Sequence, residues 1–365
     1  MSARTARAAG LDTLKGLLVV MMVFCHVLQF FADTRAFPHA LIWMESINVL
    51  VFPCFLFVFG RTAWLAYLSK TFRVAWPRMA RQAAVLYGAF CLSGIGHRVL
   101  AENKPLRERT VSGIMALRDI PGWSEFLIAF ALLSLLVLVG FKLWHWLLDR
   151  SVILGFVCTL PILASALIPY SQIGSVHLAL FIGGTQFAYF PALLYMPYML
   201  LGMTAQRYGM RKPLWWLLGG ALASLPGIIA TVTEGYPSRF PPSPLWLMMP
   251  ALGVVLLSLA TDRWTRYRDA STGRIRLHPA LRTVTRIPGL AVKHMGRHSL
   301  YYLLASNLVI FTLHGKRITP ELTLRSGIPW RLPISSIPGA AVWTVVLLGC
   351  IGLTLSLAGA RKSES

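Results

Sequence analysis

Long apolar runs recur along the whole chain, and they leave few folds open to it. An α-helix needs ~20 largely apolar residues to cross the hydrocarbon core of a bilayer. The alternating segments of ~10 residues that build outer-membrane barrels are absent from the sequence. We therefore predict an all-α polytopic membrane protein with about ten transmembrane helices. The predicted spans are 12–33, 40–68, 82–98, 123–145, 151–169, 186–206, 213–233, 243–261, 298–315 and 338–360.

The composition agrees with that class and leaves little room for a second domain. Hydrophobic residues make up 56% of the 365 residues and charged residues only 13%, which is outside the range of soluble enzymes. The first apolar run is longer than the core of a signal peptide and lacks a small-residue cleavage site after it. The five cysteines fall in apolar segments without the spacing of metal ligands. We expect one integral membrane domain over residues 1–365, with no metal and no C-terminal extracytoplasmic domain.

The formal net charge of +22 is distributed unevenly over the connections between the predicted helices. With the N-terminus in the cytoplasm, 22 of the 35 lysines and arginines lie in inner connections and 11 in outer ones, leaving Lys15 and Arg61 within helices. A basic excess on the inner side is the positive-inside pattern. We therefore predict a multi-pass protein with both termini in the cytoplasm.

The largest inner connection, residues 262–297, is strongly basic. Anionic membrane lipids are its expected partners, because their headgroups attract clusters of Lys and Arg. An anionic soluble substrate is the alternative. Nucleic acid is not expected as a partner, since the basic residues are not interleaved with aromatic residues that could stack on bases.

Two ionisable residues share one face of the first predicted helix. Lys15 and His26 are 11 residues apart, which is three turns and ~16 Å along a helix. Asp12 lies one turn before Lys15 and is placed to support it as an ion-pair partner. Ionisable groups within membrane helices usually mark a pathway or a site. Alternatively, Lys15 extends to the lipid headgroups and His26 is a neutral ring bonded to a neighbouring helix.

The second and third helices add further ionisable residues. Glu45 lies at a depth close to that of His26, where a carboxylate could orient the imidazole or form a structural hydrogen bond. Arg61 lies near the depth of Lys15, and Arg78 and Arg81 open the third helix on the same side. These three arginines and Lys15 are predicted to form one positive cluster for phosphates. Anchoring of the helix ends at the headgroups explains Arg78 and Arg81 equally well.

The stretch LDTLKGLLVVMMVFCH (11–26) resembles the opening helix of the acyltransferase 3 family, which has a basic residue, a glycine and a histidine eleven positions after the basic residue. Four later segments are similar to further motifs of that family, in the family's order. They are the second helix with Pro53, Phe55, Phe57 and Gly60, the basic pair Arg78 and Arg81, and the segments PYMLLGM (197–203) and MGRHSLYYLL (295–304).

Three positions depart from the family pattern. Lys15 replaces the usual arginine, which keeps the charge and loses the bidentate fork of a guanidinium. Phe59 stands where a serine normally precedes the second-helix glycine. Ser306, with Asn307 next to it, replaces a histidine often found after the late glycine.

The resemblance implies a ten-helix acyltransferase bundle in the bacterial cytoplasmic membrane. It also implies acyl transfer, such as O-acetylation, from cytoplasmic acyl-coenzyme A to a hydroxyl of a carbohydrate or glycolipid. Acyl-coenzyme A would be a co-substrate, with no further cofactor. His26 would then be the base or acyl carrier, assisted by Glu45, and the positive cluster would bind the donor. The alternative is a transporter or flippase for an anionic or glycan-lipid substrate, in which the same residues bind and relay protons.

Overall fold

The computed structural model describes residues 3–187, 189–274, 289–318, 321–326 and 328–363. These residues are helical almost throughout, which confirms the predicted helical class. Residues 289–297 are also helical and lead into α13. The helices are α1 Ala3–Phe31, α2 His39–Ala63, α3 Phe72–Gly96, α4 Glu108–Met115, α5 Glu125–Val139, α6 Phe141–Leu148, α7 Ser151–Ala164, α8 Val176–Ile182, α9 Ala192–Tyr208, α10 Pro213–Thr233, α11 Pro244–Met248, α12 Ala251–Arg274, α13 Ser299–Gly315 and α14 Ile337–Ser363.

One β-hairpin accompanies the helices. Strands β1 (Glu321–Ser326) and β2 (Ile328–Pro333) pair antiparallel, with Thr323 opposite Arg331. The hairpin lies in a connection for which the sequence analysis predicted no element. Both strands are short, and their mixed polar and apolar residues do not stand out beside the long apolar runs.

Within the described residues, six helical segments are long and apolar enough to cross a membrane, and a seventh span results if α5 and α6 count as one despite the 82° bend between them. The six are Gly10–Phe31, His39–Leu68, Phe72–Ala101, Pro213–Thr233, Pro244–Thr265 and Ile337–Ala358. They indicate a membrane protein. The predicted spans at 151–169, 186–206 and 298–315 correspond to helices of 14, 17 and 17 residues, shorter than the ~20 that a span needs. The number ten therefore stays a prediction.

The chain divides into two compact units. The first unit comprises Met1–Val51, Val99–Lys104 and Ala260–Ser365, and the second comprises Phe52–Arg98 and Pro105–Leu259. In the first unit α1 packs against both α13 and α14, which also contact each other. In the second unit α3 packs along α5, and α7 and α8 pack against α9.

Two glycines of the first unit let helices cross with their backbones in direct contact. A Cβ atom on Gly16 would lie 1.8 Å from the carbonyl oxygen of Val292, and one on Gly296 would lie 1.7 Å from that of Asp12. Neither position has room for any side chain. The helical residues 289–297 are therefore seated against the first half of α1, beside Lys15.

The second unit contains an equivalent crossing between α2 and α9. A Cβ atom on Gly60 would lie 1.9 Å from the carbonyl oxygen of Met199, and one on Gly202 would lie 2.0 Å from that of Phe57. Gly16, Gly60, Gly202 and Gly296 are all glycines of the motifs that resemble the acyltransferase 3 family. Their common structural role is close approach of two helices.

Candidate active site

His26 lies on the buried face of α1, within the first unit. Its side chain is 7% exposed, and its Nδ1 atom lies 2.8 Å from Oδ1 of Asn307 on α13. An amide oxygen only accepts hydrogen bonds, so Nδ1 carries the proton and donates it to Asn307. The other ring nitrogen, Nε2, then holds the lone pair. Such an imidazole is a proton acceptor or a nucleophile whose orientation is fixed.

The packing of α13 on α1 explains why Asn307 reaches His26. The rings of Phe30 and Phe311, one turn further along each helix, lie 5.7 Å apart and hold the two helices in register. Asn307 is 1% exposed, and no water can replace the bond to His26 without opening this packing. Ser306 points elsewhere, since its hydroxyl donates to the carbonyl oxygen of Leu303 in the same helix.

The hydrogen bond from His26 to Asn307 is the part of the site that the sequence analysis missed. In the sequence, Asn307 stands out only as the neighbour of Ser306, which replaces the histidine of the family pattern. The one signal in the sequence was a polar amide within the apolar run of 298–315. Its pairing with a residue 281 positions away cannot be read from local spacing.

The predicted contact between Glu45 and His26 is wrong. Glu45 is half-buried, and the described residues give it no hydrogen bond or ion pair. The side of α2 that faces α1 carries Met44 and Asn48, because the thiol of Cys25 lies 3.6 Å from the Met44 carbonyl oxygen and 3.4 Å from Asn48 Oδ1. Gln29 donates to the same Asn48 oxygen at 3.3 Å. Glu45 is turned ~100° away from Met44 around the helix axis.

Asp12 lies within electrostatic range of Lys15, although these two described side chains form no salt bridge within 4.0 Å. Asp12 Oδ2 instead accepts a hydrogen bond from Nε of Arg297 at 3.1 Å, because the backbone crossing at Gly296 brings the next residue to the carboxylate. Lys15 is half-buried and makes no hydrogen bond or ion pair with the described residues. Since α1 is continuous from Ala3 to Phe31, the spacing of three turns between Lys15 and His26 holds.

The arginines predicted to bind the donor lie in the second unit in two different environments. Arg61 is 4% exposed and donates to Gln206 Oε1 at 3.3 Å and to Ser258 Oγ at 2.9 Å, which ties α2 to α9 and α12. Arg78 and Arg81 are exposed in the second and third turns of α3. Arg61 therefore serves the packing of its unit, and only the exposed pair is free to meet a soluble anion.

The single cluster of four cations stays a prediction, because Lys15 belongs to the first unit and the arginines to the second. No family model, curated protein or solved structure matches this chain. The functional interpretation thus depends on the chemistry of His26 and on the motif residues themselves.

Proposed function

We propose that this protein is a membrane O-acyltransferase that moves an acyl group from cytoplasmic acyl-coenzyme A to a hydroxyl of a carbohydrate or lipid-linked glycan. One observation carries the proposal. A histidine buried in a membrane helix has Nδ1 held 2.8 Å from the Asn307 amide oxygen, and the neutral imidazole that donates this bond carries its lone pair on Nε2. The resemblance of 11–26 to the acyltransferase 3 family supports the same activity.

His26 has two ways to promote the transfer. As a base, Nε2 takes the proton of the acceptor hydroxyl while that oxygen attacks the thioester carbonyl. The carbon–sulfur bond breaks, coenzyme A leaves as the thiolate and receives the proton, and an ester forms. As a carrier, Nε2 itself attacks the thioester, expels the thiolate and later passes the acyl group to the hydroxyl. In both routes Asn307 fixes the ring and stabilises the positive charge that develops on it.

We expect the phosphates of acyl-coenzyme A to bind the exposed side chains of Arg78 and Arg81 and the half-buried side chain of Lys15. Arg78 and Arg81 are exposed on one end of α3, and their guanidinium groups match phosphate oxygens in a bidentate manner. Lys15 lies three turns from His26 on α1, at a distance of ~16 Å along the axis. A donor anchored at this depth could extend its thioester towards His26.

Release of coenzyme A by the purified protein tests the proposal. Full-length protein in detergent is given acetyl-coenzyme A and a mixture of saccharide acceptors, and the free thiol is measured over time. An acyltransferase releases thiol at a rate that depends on the acceptor. A transporter or flippase releases none, and that result would remove acyl transfer from consideration.

Replacement of Arg78 or Arg81 by Ala should raise the apparent KM for acetyl-coenzyme A about three- to tenfold, with kcat little changed. Each substitution removes one charge-assisted phosphate contact at a solvent-exposed position. The salt dependence of KM should also weaken, because fewer ionic contacts remain to be screened.

The matched control for this pair is Arg211→Ala, an exposed arginine in another connection predicted to be cytoplasmic. Its KM should equal that of the unmodified protein. If the Arg78 and Arg81 variants behave like the control, both residues only anchor α3 at the headgroups.

The predicted topology is tested most sharply at the two ends of α10. Lys212 and Glu234 flank this helix and are both exposed. In a cysteine-free background, Glu234→Cys should react with an impermeant maleimide from outside intact cells, and Lys212→Cys should react only after lysis. The reverse pattern would place both termini outside.

A further inference from the structure

Three buried polar atoms without hydrogen-bond partners occur near one end of the second unit. Glu125, the first residue of α5, is only 9% exposed, and its Oε2 has no partner. Nε of Arg239 is also buried without a partner among the described residues, and the Tyr170 hydroxyl makes no hydrogen bond within 3.5 Å there, although Ser165 lies near it. Burial of a polar atom without a hydrogen bond is destabilising. Groups of this kind usually await a ligand or water.

The three side chains belong to one neighbourhood. Arg239 forms an isolated β-bridge with Pro242, and a Cβ atom on Gly183 would lie 3.7 Å from Pro242 Cδ and 3.2 Å from Tyr170 Cε1, so these segments are adjacent. Arg239 also lies within electrostatic range of Glu125. Glu125 and Arg239 nevertheless form no ion pair within 4.0 Å, although opposite buried charges normally close on each other. The two charged groups are therefore held apart by the structure.

Aromatic rings hold the guanidinium in place. The Arg239 carbon Cζ lies 5.3 Å from the ring centroid of Phe190 and 4.6 Å from that of Phe240. The Phe190 ring is itself fixed, since it packs 4.0 Å from Phe52 and 5.8 Å from Tyr195. These cation–π contacts replace the hydrogen bonds that Arg239 would otherwise seek.

The carboxylate of Glu125 is held by the start of α5. Backbone N–H groups of Trp123, Ser124 and Glu125 lie near it and help to fix its position. Trp123 has a φ of 69°, a strained value for a bulky residue. Such strain is typical of functional positions, where the surrounding structure fixes the backbone.

This cluster lies at the opposite end of α3 from Arg78 and Arg81. The end of α3 is joined to the start of α5 by a hydrogen bond from Ser124 to Ser93 of 3.0 Å. Residues 78 and 98 are 20 positions apart on α3 and the turn that extends it, which corresponds to ~30 Å, the thickness of a hydrocarbon core. The cluster and the exposed arginine pair would therefore face opposite sides of a membrane.

The unpartnered atoms select for a ligand that both donates and accepts hydrogen bonds. A simple anion has no proton to donate to Glu125 Oε2, whereas a cation would be repelled by Arg239. A neutral polyol has hydroxyl protons for Glu125 Oε2 and oxygens for Arg239 Nε and the Tyr170 hydroxyl. The apolar C–H groups of a sugar ring also suit aromatic surroundings. We infer that Glu125, Arg239 and Tyr170 form a saccharide-binding site.

This site deepens the proposed function, because it is where the carbohydrate acceptor would first bind. The role as acceptor site rests on the proposed acyl transfer, whereas saccharide binding itself does not. Binding of a saccharide to Glu125 and Arg239 requires neither acyl-coenzyme A nor His26, so it can be measured separately.

Saturation-transfer NMR on the full-length protein in detergent tests the site, with N-acetylglucosamine, galactose and rhamnose as probes. At least one of the three should receive saturation from the protein. Glu125→Gln and Arg239→Gln should each weaken binding about tenfold or more, since each removes a charged hydrogen-bond partner. Tyr170→Phe should weaken it less. The matched controls are the exposed Glu234→Gln and Arg109→Gln, which should bind as the unmodified protein does.

Three results would overturn the inference. The first is that none of the three sugars receives saturation from the folded protein. The second is that the Glu125 and Arg239 variants bind sugar as tightly as the unmodified protein. The third is that inorganic phosphate displaces the sugar equally well from the unmodified protein and from Glu125→Gln. If Glu125→Gln does not fold, Arg239→Lys replaces it, because Arg239 is only half-buried. Sugar binding without thiol release would contradict only the proposed function, and thiol release without sugar binding would contradict only this site.

Discussion

Replacement of His26 by Ala should abolish acyl transfer while leaving the protein folded. A general base contributes about 10²–10⁴ in rate, and loss of a covalent carrier would cost more. The expected result is a fall in thiol release from acetyl-coenzyme A of at least a hundredfold. The apparent KM for the donor should change little, because the residues proposed to bind its phosphates are untouched. Initial rates and size-exclusion profiles of the purified variant provide the measurement.

Variants of Asn307 separate a catalytic role of His26 from a packing role. Asn307→Asp keeps an oxygen that accepts the Nδ1 proton, and should retain much of the activity. Asn307→Leu keeps the volume and removes the acceptor, and should lower kcat without changing the donor KM. If His26→Asn is instead folded and fully active, His26 is a packing residue, and the base must be sought elsewhere.

Glu45→Gln is the control for the alternative base. The described residues give Glu45 no bond to His26, so this variant should transfer acyl groups at nearly the normal rate. A large loss of activity would show that Glu45 takes part in the chemistry by itself.

The helical class, the course of α1 and the burial of His26 could all be predicted from the sequence. Apolar runs and the spacing between Lys15 and His26 are local properties, and the geometry of a helix converts them into depth and face. The partner of His26 could not be predicted in this way. Asn307 is neutral, follows no periodic pattern and lies far along the chain, so only the packing of α13 against α1 brings the two together.

The contact predicted for Glu45 and the hydrogen-bond partner of Asp12 were both missed for one physical reason. Depth along a helix was predicted from residue counts, whereas a contact also requires the correct rotation, and each position turns the side chain by ~100°. Glu45 matches His26 in depth but lies beside the contact face of α2. Asp12 lies one turn from Lys15, yet the crossing at Gly296 supplies Arg297 as a better-placed cation.

Arg61 shows a different limit of the sequence analysis. Its position within an apolar run correctly marked it as unusual, since a buried guanidinium needs partners. Those partners, Gln206 and Ser258, lie on two other helices. In the sequence, nothing separates them from polar residues exposed at the surface. An arginine in a membrane helix is therefore a sign of specific packing as much as of substrate binding.

The second large effect is expected at the crossing of α2 and α9. Gly60→Ala should destabilise the protein by about 1–3 kcal/mol, and Gly60→Leu should prevent folding, because a Cβ atom would lie 1.9 Å from the Met199 carbonyl oxygen. Helix backbones cannot yield as a flexible side chain would, so α2 and α9 must separate. Gly202→Ala should behave similarly, since it meets the Phe57 carbonyl oxygen at 2.0 Å.

The matched control is Gly88→Ala in α3, where nothing lies within 4 Å of the added Cβ atom. Alanine is favoured over glycine in a helix by about 1 kcal/mol, so this variant should be as stable as the unmodified protein or slightly more stable. The measurement is the thermal unfolding of the Gly60→Ala, Gly202→Ala and Gly88→Ala variants in detergent. The fraction of protein that remains monodisperse is recorded at each temperature. If Gly60→Ala unfolds at the same temperature as Gly88→Ala, the two helices are not in backbone contact. The motif glycines would then have to be explained by the chemistry of the site rather than by the packing of the helices that carry it.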